Sequence, residues 1–223
     1  INMVSAIIPA YNEAKRIVNT VERTLPHVDR VIVIDDGSQD TTYDTLQHIV
    51  NQKLTVLRHR VNLGKGSTLK TGCEAARRLD TDIIVMLDAD GQHPPEHIPA
   101  MIDYLKKEKL DVVFSVREGG DRMPLIRRLG NQTLNHVAAL LFNIKLQDIW
   151  CGFRALRTEV LPRIAWSKRD YSGEIEMALK AGRNGLHHGE YIIPTVYHDT
   201  AKGVHMLHGL KLLGQMLIWR ITL

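Results

Sequence analysis

The feature that most restricts the fold of this chain is an alternation of short, continuous apolar runs with amphipathic segments. Five such runs, VSAIIP, RVIVIDD, LTVLRH, DIIVMLDAD and DVVFSVR, occur in the first 118 residues. Segments with helical spacing separate them, such as the helix predicted for GSTLKTGCEAARRL. Uninterrupted apolar runs are typical of parallel strands covered on both faces. The pattern therefore predicts an α/β fold, with a mostly parallel sheet and helices on both faces.

The part of the chain after about residue 120 follows a different order. PLIRRLGNQTLNHVAALLF predicts a basic, amphipathic helix, and CGFRAL predicts a short strand. A further helix is expected over roughly 172–184, a strand over 189–193 and a last helix at the C-terminus. We therefore expect a single domain over residues 1–204, with halves 1–118 and 119–204, followed by an amphipathic segment over 205–223.

Composition narrows the class of protein. With 44% hydrophobic and 24% charged residues among 223, the chain is ordinary for an α/β protein. Its net charge of +4 suits an anionic ligand or a membrane surface but is too diffuse to indicate nucleic acid. Cys73 and Cys151 form no metal-spaced cluster, so we expect free thiols in a reducing compartment. We expect neither a secretory signal in INMVSAIIPAYNEAKR nor a membrane-spanning helix.

Polar side chains follow three of the predicted strands. PAYNE follows the first, Asp35 and Asp36 end the second, and the fourth runs into LDADGQHPPE. In parallel sheets, ligands bind outside the carboxyl ends of the strands. Carboxylates there can cap turns, or they can hold a hard divalent cation such as Mg²⁺ or Mn²⁺. Three clusters at one edge favour the cation. A zinc site at His93 is not expected, because no companion ligands have useful spacing.

The motifs IIPAYNE, VIDDGSQDTT, NLGKGSTLKTG and LDADGQHPPE, in this order, resemble the nucleotide-sugar half of the family 2 glycosyltransferases. LQDIWCGFRAL and IIPTVYHDTAKG make the chain similar to the branch that contains dolichyl-phosphate mannosyltransferase and other polyprenyl-phosphate glycosyltransferases. The resemblance implies an A-type glycosyltransferase fold, Rossmann-like, with a C-terminal amphipathic helix added. It also implies a catalytic domain over 1–204, whose first half binds a nucleotide sugar and whose second half binds the acceptor.

The resemblance also implies roles for particular residues. Asp90 and Gln92 match metal ligands for Mg²⁺ or Mn²⁺, and Asp35 is expected to be structural. The positions that match donor-binding residues are Pro9, Tyr11, Glu13, Ile34, Asp36, Asp88, Ala89, Asp90, Gln92, Arg117 and Lys202. Asp90, Arg117 and Asp148 are the expected catalytic residues. The implied reaction is a direct displacement with inversion, in which a cation neutralises the departing nucleoside diphosphate.

The implied acceptor is a polyprenyl or dolichyl phosphate, contacted by Arg127 and Asn131. Arginine suits this role because its planar fork binds phosphate bidentately. A phosphate monoester is largely dianionic at neutral pH, so it needs no strong general base. Asp148 is then open to three interpretations: it orients the acceptor, acts as a base, or holds a turn.

The sequence leaves several roles open. NLGKGS lacks the spacing of a P-loop, so Gly64 and Gly66 are expected to give backbone freedom before a helix near the nucleotide. Lys65 is either a surface charge or a substrate contact. Glu174 and Glu176 are expected to begin a helix, and one of them can face the sugar.

The loop YHDTAKGVHM departs from the mannosyltransferase pattern, which has two arginines and a lysine there. Thr200, Lys202 and Met206 stand at those places, so only Lys202 keeps the charge. This departure weakens mannose as the donor sugar. Uridine and guanosine donors, UDP- or GDP-linked, both remain open.

The C-terminal segment has an apolar helical face formed by Leu207, Leu210, Leu213, Leu217 and Ile221. Trp219 and Arg220 near its end are typical of a helix in a membrane interface. We expect the protein to be cytoplasmic and peripherally attached to the cytoplasmic face of a membrane. The alternative is that this helix docks onto the domain or a second subunit.

Three other functions stay open from the sequence. The acceptor could be a sugar hydroxyl, in which case Asp148 would be a required base. The chain could bind a nucleotide sugar without chemistry, although an intact Asp-x-Asp argues against this. A nucleotidyltransferase also uses carboxylates and Mg²⁺ but releases pyrophosphate.

Overall fold

The structure, a computed structural model, describes residues 2–118, 125–194 and 206–222, with side chains in the last two ranges from residues 132 and 212 onward. The strands are β1 Val4–Ala10, β2 Arg30–Asp35, β3 Leu54–Arg58, β4 Ile83–Met86, β5 Val112–Arg117, β6 Arg154–Arg157 and β7 His188–Ile193. The helices are α1 Ile17–Thr24, α2 Thr42–Gln47, α3 Lys65–Arg78, α4 Ile98–Lys107, α5 Leu125–Phe142, α6 Leu161–Ile164, α7 Ser172–Arg183 and α8 Met206–Thr222.

These seven strands form one sheet in the order β3-β2-β1-β4-β6-β5-β7. β1 pairs in parallel with β2 and β4, and β2 pairs in parallel with β3. β5 and β7 are also parallel. The predicted mostly parallel α/β sheet is therefore confirmed. The parallel strands end at one edge, which we call the carboxyl edge.

β6 is the antiparallel exception, and it lies between β4 and β5. Arg154, its first residue, pairs with Met86, the last residue of β4. Because β6 runs against its neighbours, its beginning lies at the carboxyl edge. The loop over residues 148–153 therefore reaches the edge where the neighbouring strands end.

Helices cover both faces of the sheet, because successive side chains of each strand point to opposite faces. On one face, Ile7, Ile32 and Ile84 pack with residues of α3, α5, α7 and α8. On the other face, Ile8 and Val33 pack with residues of α1, α2 and α4. The strand residues that fill both cores are nearly inaccessible to solvent.

The C-terminal helix docks onto this domain mainly through residues that are not part of the expected face. Leu212, Met216 and Trp219 are buried in the core beside α5 and α7, and 3% of Trp219 is exposed. The expected interfacial role of Trp219 is therefore wrong, because its large apolar side chain packs inside the protein. Leu217 and Ile221 of the expected face are exposed. Within the described ranges, no helix is long and apolar enough to cross a membrane.

Candidate functional site

The loops that follow β1 and β2 are joined to each other by side-chain hydrogen bonds. The backbone N–H of Asn12 donates to Ser38 Oγ at 2.9 Å, and Asn12 Oδ1 accepts from the N–H of Gln39 at 2.8 Å. The N–H of Glu13 donates to Thr42 Oγ1 at 2.8 Å. The PAYNE and DDGSQDTT motifs therefore form one connected surface at the carboxyl edge.

The expected donor-binding residues of these two strands differ in their access to solvent. Tyr11 is 40% exposed, so its ring is available to a ligand. Glu13 is mostly covered and lies 3.5 Å from Arg16. Pro9 is half-buried, and Ile34 is fully buried between Pro9 and Leu57 in the sheet register.

Asp35 and Asp36 both organise the protein around them. Asp35 is fully buried, accepts the N–H of Ser38 at 3.2 Å and pairs with Arg58, as expected for a structural acid. Asp36 accepts the backbone N–H groups of Leu63 at 3.0 Å and Gly64 at 2.8 Å. Asp36 thus fixes the loop that leads into α3. Its expected contact with the nucleoside stays a prediction.

Asp88, just past β4, belongs to an ion triad with Lys65 and Glu174. Lys65 Nζ lies 2.5 Å from Asp88 Oδ1 and 2.8 Å from Glu174 Oε2. Burial alone would raise the pKa of Asp88, but the charge and hydrogen bond of Lys65 outweigh it and lower that pKa to about 2. The same two carboxylates raise the pKa of Lys65 despite its burial. Lys65 is therefore a mostly covered residue that is bound between two carboxylates, and not a surface charge.

His93 supports Asp88 from the other side. Its Nδ1 accepts the backbone N–H of Asp88 at 2.9 Å, so that nitrogen carries no proton. Burial lowers the pKa of His93 and favours the neutral ring, which stacks on Phe153 at 5.4 Å between centroids. His93 is thus a structural support for the Asp-x-Asp turn.

Asp90 and Gln92 lie on the same turn and suit a weakly chelated divalent cation. Asp90 Oδ1 accepts the backbone N–H of Gln92 at 3.0 Å, and both side chains are half-buried. No group of three His, Cys, Asp or Glu side chains that could hold a metal occurs among the residues the structure describes. The donor set therefore fits Mg²⁺ or Mn²⁺ bound by one carboxylate, an amide oxygen, water and ligand phosphates.

Ala89, between the two acids, is buried, and its carbonyl accepts Thr20 Oγ1 at 3.1 Å. This contact joins the Asp-x-Asp turn to α1. Ala89 is expected to contact the donor, and this also stays a prediction.

Arg117 and Asp148, two of the expected catalytic residues, bind each other. Arg117 Nε lies 2.6 Å from Asp148 Oδ2, and Nη2 lies 3.0 Å from Oδ1. Burial opposes the charge of Arg117, but the hydrogen bonds and charge of Asp148 outweigh it and raise the pKa of Arg117. Arg117 also helps to lower the pKa of Asp88, so the pair lies within electrostatic reach of the triad.

A buried arginine shapes the loop that carries Asp148. Arg154 is fully buried and donates to the carbonyl oxygens of Cys151 at 3.0 Å, Ile149 at 3.1 Å and Glu174 at 2.5 Å. Its guanidinium lies 5.1 Å from the Phe114 ring centroid. Arg154 therefore holds the 148–153 loop against the beginning of α7. The sequence signal that could have identified Arg154 is that it is the single charged residue within the apolar run CGFRAL.

The two glutamates at the beginning of α7 have separate roles. Glu174 belongs to the triad, whereas Glu176 turns away and accepts the backbone N–H groups of Ser167 and Lys168 at 2.8 and 3.0 Å. Gly66 is close to the same loop, because a Cβ there would lie 2.4 Å from Lys168 O. The glycine at position 66 thus permits contact with the 168–170 loop.

Three expected residues have side chains outside the described part of the structure. Arg127 and Asn131 lie on α5, but their side chains are outside the described residues. Lys202 lies wholly outside them. Their expected roles stay predictions.

The site as a whole combines a guanidinium with acids at the ends of neighbouring strands. Asp90 and Gln92 can hold a cation, Arg117 can meet a phosphate, and Tyr11 offers an exposed ring. Such an arrangement suits a ligand that contains a base and a diphosphate.

Comparison with known proteins agrees with this chemistry. A family model described as glycosyl transferase family 2 matches residues 5–164. A UDP-N-acetylglucosamine–dolichyl-phosphate N-acetylglucosaminyltransferase from Methanococcus voltae is 31% identical over 242 residues, covering 98% of this chain and 96% of the relative. A polyprenol monophosphomannose synthase from Mycolicibacterium smegmatis is 30% identical, covering 91% of this chain and 80% of the relative.

Solved structures show that the fold is shared. Glucosyl-3-phosphoglycerate synthase from Mycobacterium tuberculosis, in complex with Mn²⁺, uridine diphosphate and phosphoglyceric acid, aligns with a TM-score of 0.72 at 22% identity, covering 98% of this chain and 78% of that one. Mannosyl-3-phosphoglycerate synthase from Rubrobacter xylanophilus also gives 0.72 at 16% identity, covering 99% and 73%.

Proposed function

This chain belongs to glycosyl transferase family 2 and has its A-type fold, and from that premise we propose that it transfers a sugar from a nucleotide diphosphate to a polyprenyl or dolichyl phosphate. The observation that carries the proposal is the grouping of Asp88, Asp90 and Arg117 at the carboxyl edge, on the strand ends where a nucleotide diphosphate would lie. The names of two relatives support a lipid phosphate as the acceptor: one is a dolichyl-phosphate N-acetylglucosaminyltransferase, and the other is a polyprenol monophosphomannose synthase.

The donor that we propose first is UDP-linked N-acetylhexosamine. The relative from M. voltae, named for that kind of donor, matches nearly the whole chain. The absence of two expected arginines around Lys202 also speaks against mannose. A GDP-linked sugar is the alternative, in line with the relative named as a phosphomannose synthase.

The proposed reaction is a direct displacement with inversion at the anomeric carbon. Mg²⁺ or Mn²⁺, held by Asp90 and Gln92, supplies positive charge near the leaving diphosphate when it is bound. Arg117 adds a second positive charge, and Tyr11 and Glu13 bind the nucleoside. The acceptor phosphate is itself the nucleophile and is largely dianionic, so no strong base is required.

Asp148 is proposed to act by orienting Arg117. Both of its oxygens are bonded to that guanidinium, which leaves it poorly placed to take a proton from a hydroxyl. This bonding favours a phosphate acceptor over a sugar hydroxyl. We propose that Arg127 and Asn131 on α5 bind the acceptor phosphate.

Attachment to a membrane surface is part of the proposal, because the acceptor is a lipid. The face of α8 that would lie on the membrane is formed by its exposed apolar residues Leu217, Ile218 and Ile221. Burial of such a face in the headgroup region gives reversible attachment. The cytoplasmic side of that membrane is an expectation from the sequence.

A donor panel tests the proposed function. Purified protein is incubated with UDP- and GDP-linked sugars, a short polyprenyl phosphate and Mg²⁺ or Mn²⁺, and the released nucleoside diphosphate and labelled lipid are measured. We expect one molecule of each product per transfer, with loss of turnover on chelation. Release of pyrophosphate, or no donor consumption with any lipid phosphate, would refute the proposal.

The cation site is tested by Asp90→Ala, with Asp103→Ala on the exposed face of α4 as the matched control. We expect Asp90→Ala to abolish metal-dependent turnover while the melting temperature stays close to that of the control. Turnover equal to that of the control would show that Asp90 is not a ligand.

A further inference from the structure

Lys65 joins two carboxylates from distant parts of the chain, and the triad is closed on one side and open on the other. The side chain of Lys65 is 13% exposed and that of Glu174 is 7% exposed, whereas that of Asp88 is 28% exposed. Protein therefore covers the lysine and the glutamate. Of the three groups, Asp88 is the one that a ligand can reach most easily.

The two carboxylate oxygens of Asp88 have different environments. Oδ1 is bound by Lys65 at 2.5 Å, and the main chain is fixed by the hydrogen bond of the Asp88 N–H to His93 at 2.9 Å. His93 Nδ1 lies 3.9 Å from Oδ2, beyond hydrogen-bond distance, and it carries no proton that it could donate to this oxygen. Oδ2 is thus available to a donor group of a ligand.

We propose that Lys65 and Glu174 are positioning residues that hold Asp88 so that Oδ2 meets the nucleotide part of the donor. The inference rests on the proposed function, because it takes Asp88 as a residue that contacts the donor. Lys65 acts on Asp88 directly. An ammonium group on a flexible chain has three hydrogen-bond donors, so one acceptor does not fix its direction. Glu174 supplies the second acceptor and acts through Lys65.

Gly152 covers the triad and offers a way to disturb it without removing a charge. A Cβ at this position would lie 2.7 Å from Glu174 Oε1, 3.1 Å from Lys65 Nζ and 3.4 Å from Asp88 Oδ1. The shortest of these distances requires one of the groups to move. Gly152→Ala should therefore displace the triad. Gly214→Ala on α8, where a Cβ meets nothing within 4 Å, is its matched control.

Steady-state kinetics and nucleotide binding test the inference. Glu174→Gln keeps the shape of the side chain, and Lys65→Met removes the bridging charge; Lys70→Met, on the exposed face of the same helix, is the control. We expect Glu174→Gln, Lys65→Met and Gly152→Ala to raise KM for the donor about tenfold. KM for the acceptor and kcat should stay close to the wild-type values. The double variant Lys65→Met/Glu174→Gln should bind the donor no more weakly than Lys65→Met alone.

Several outcomes would overturn the inference. One is a donor KM for Glu174→Gln equal to that of Lys70→Met. Another is that the triad variants lower kcat, acceptor use and the melting temperature together, which would indicate a general structural role. If Lys65→Met does not fold, Glu174→Gln and Gly152→Ala still decide the matter. A wild-type protein that binds no nucleotide sugar would overturn the proposed function, whereas donor binding with unaffected variants would overturn this inference alone.

Discussion

At the scale of single residues, the pairing of Arg117 with Asp148 decides what each can do. The carboxylate binds the guanidinium through two hydrogen bonds and so directs its planar fork. The same bonds occupy both oxygens of the acid. Asp148 therefore contributes by positioning the charged Arg117 side chain. Replacing one of the Asp148 oxygens should lower the activity only moderately.

Asp148→Asn tests this assignment. Loss of a general base costs roughly 10²–10⁴-fold in rate, whereas loss of one arm of a bidentate pair should reduce kcat/KM about tenfold. The measurement is turnover with a polyprenyl phosphate acceptor, with Asp103→Asn on α4 as the control. A reduction of a thousandfold or more would instead support Asp148 as a general base and a sugar hydroxyl as the acceptor.

The residues of the site were predictable only where the signal is local. The acids past β2 and β4 stand at strand ends in the sequence itself, and the structure brings them to one edge. The bridge from Lys65 to Asp88 and Glu174 joins residues far apart in sequence, so no local pattern shows it. Trp219 carries an ambiguous signal, because aromatic residues suit both a membrane interface and a core.

At the scale of elements, the loop over 166–170 connects α7 to α3. Trp166 Nε1 donates to the carbonyl of Gly66 at 2.8 Å, and the N–H of Ser67 donates to Arg169 O at 3.2 Å. Glu176 holds the other side of the loop through Ser167. The loop thus fixes the beginning of α3, which carries Lys65.

Glu176→Gln tests how far this loop contributes to stability. Burial opposes the charge of Glu176, but backbone N–H groups of Lys168 and Ser167 and the ammonium of Lys180 outweigh it and lower its pKa. The stabilisation is therefore fully present above the unfolded pKa of about 4.3, and it is lost as pH falls from there through the lower pKa of the folded state. We expect the variant to be about 2 kcal/mol less stable at pH 7, with a difference from wild type that shrinks in acid.

Urea unfolding at several pH values gives this difference, with the exposed Glu159→Gln as the control. A difference that is independent of pH would contradict the assignment.

The order of elements follows from the sequence more readily than their directions do. The strands and the helices α3, α5 and α7 appear close to the predicted bounds, because periodicity is a strong local signal. The direction of β6 was not predictable, since an apolar run reads the same for parallel and antiparallel pairing. Its place between β4 and β5 depends on the packing of the whole sheet.

At the scale of the whole molecule, α8 has two apolar surfaces with different uses. Leu212, Met216 and Trp219 complete the core, and Leu217 and Ile221 remain exposed. The sequence left open whether this helix docks onto the domain or lies on a membrane, and its two apolar surfaces allow both. Docking onto the domain is observed, and membrane attachment is proposed for the exposed residues.

Substitutions on the two surfaces should separate these uses. Trp219→Ala should lower the free energy of unfolding by about 3–5 kcal/mol, because it leaves a large cavity in the core. Leu217→Ser with Ile221→Ser should change stability by about 0.5 kcal/mol or less. The double variant should sediment less with anionic phospholipid vesicles than the wild type does. Equal sedimentation would mean that this face does not bind the membrane.

The position of β6 has a consequence for engineering. A strand from the second half of the chain separates β4 from β5, which both belong to the first half. A chimera that joins residues 1–118 to the acceptor region of a relative would therefore import a foreign strand into the centre of its own sheet. Exchange of acceptor preference by transplanting halves would succeed only where the incoming strand, with its arginine, matches both neighbours.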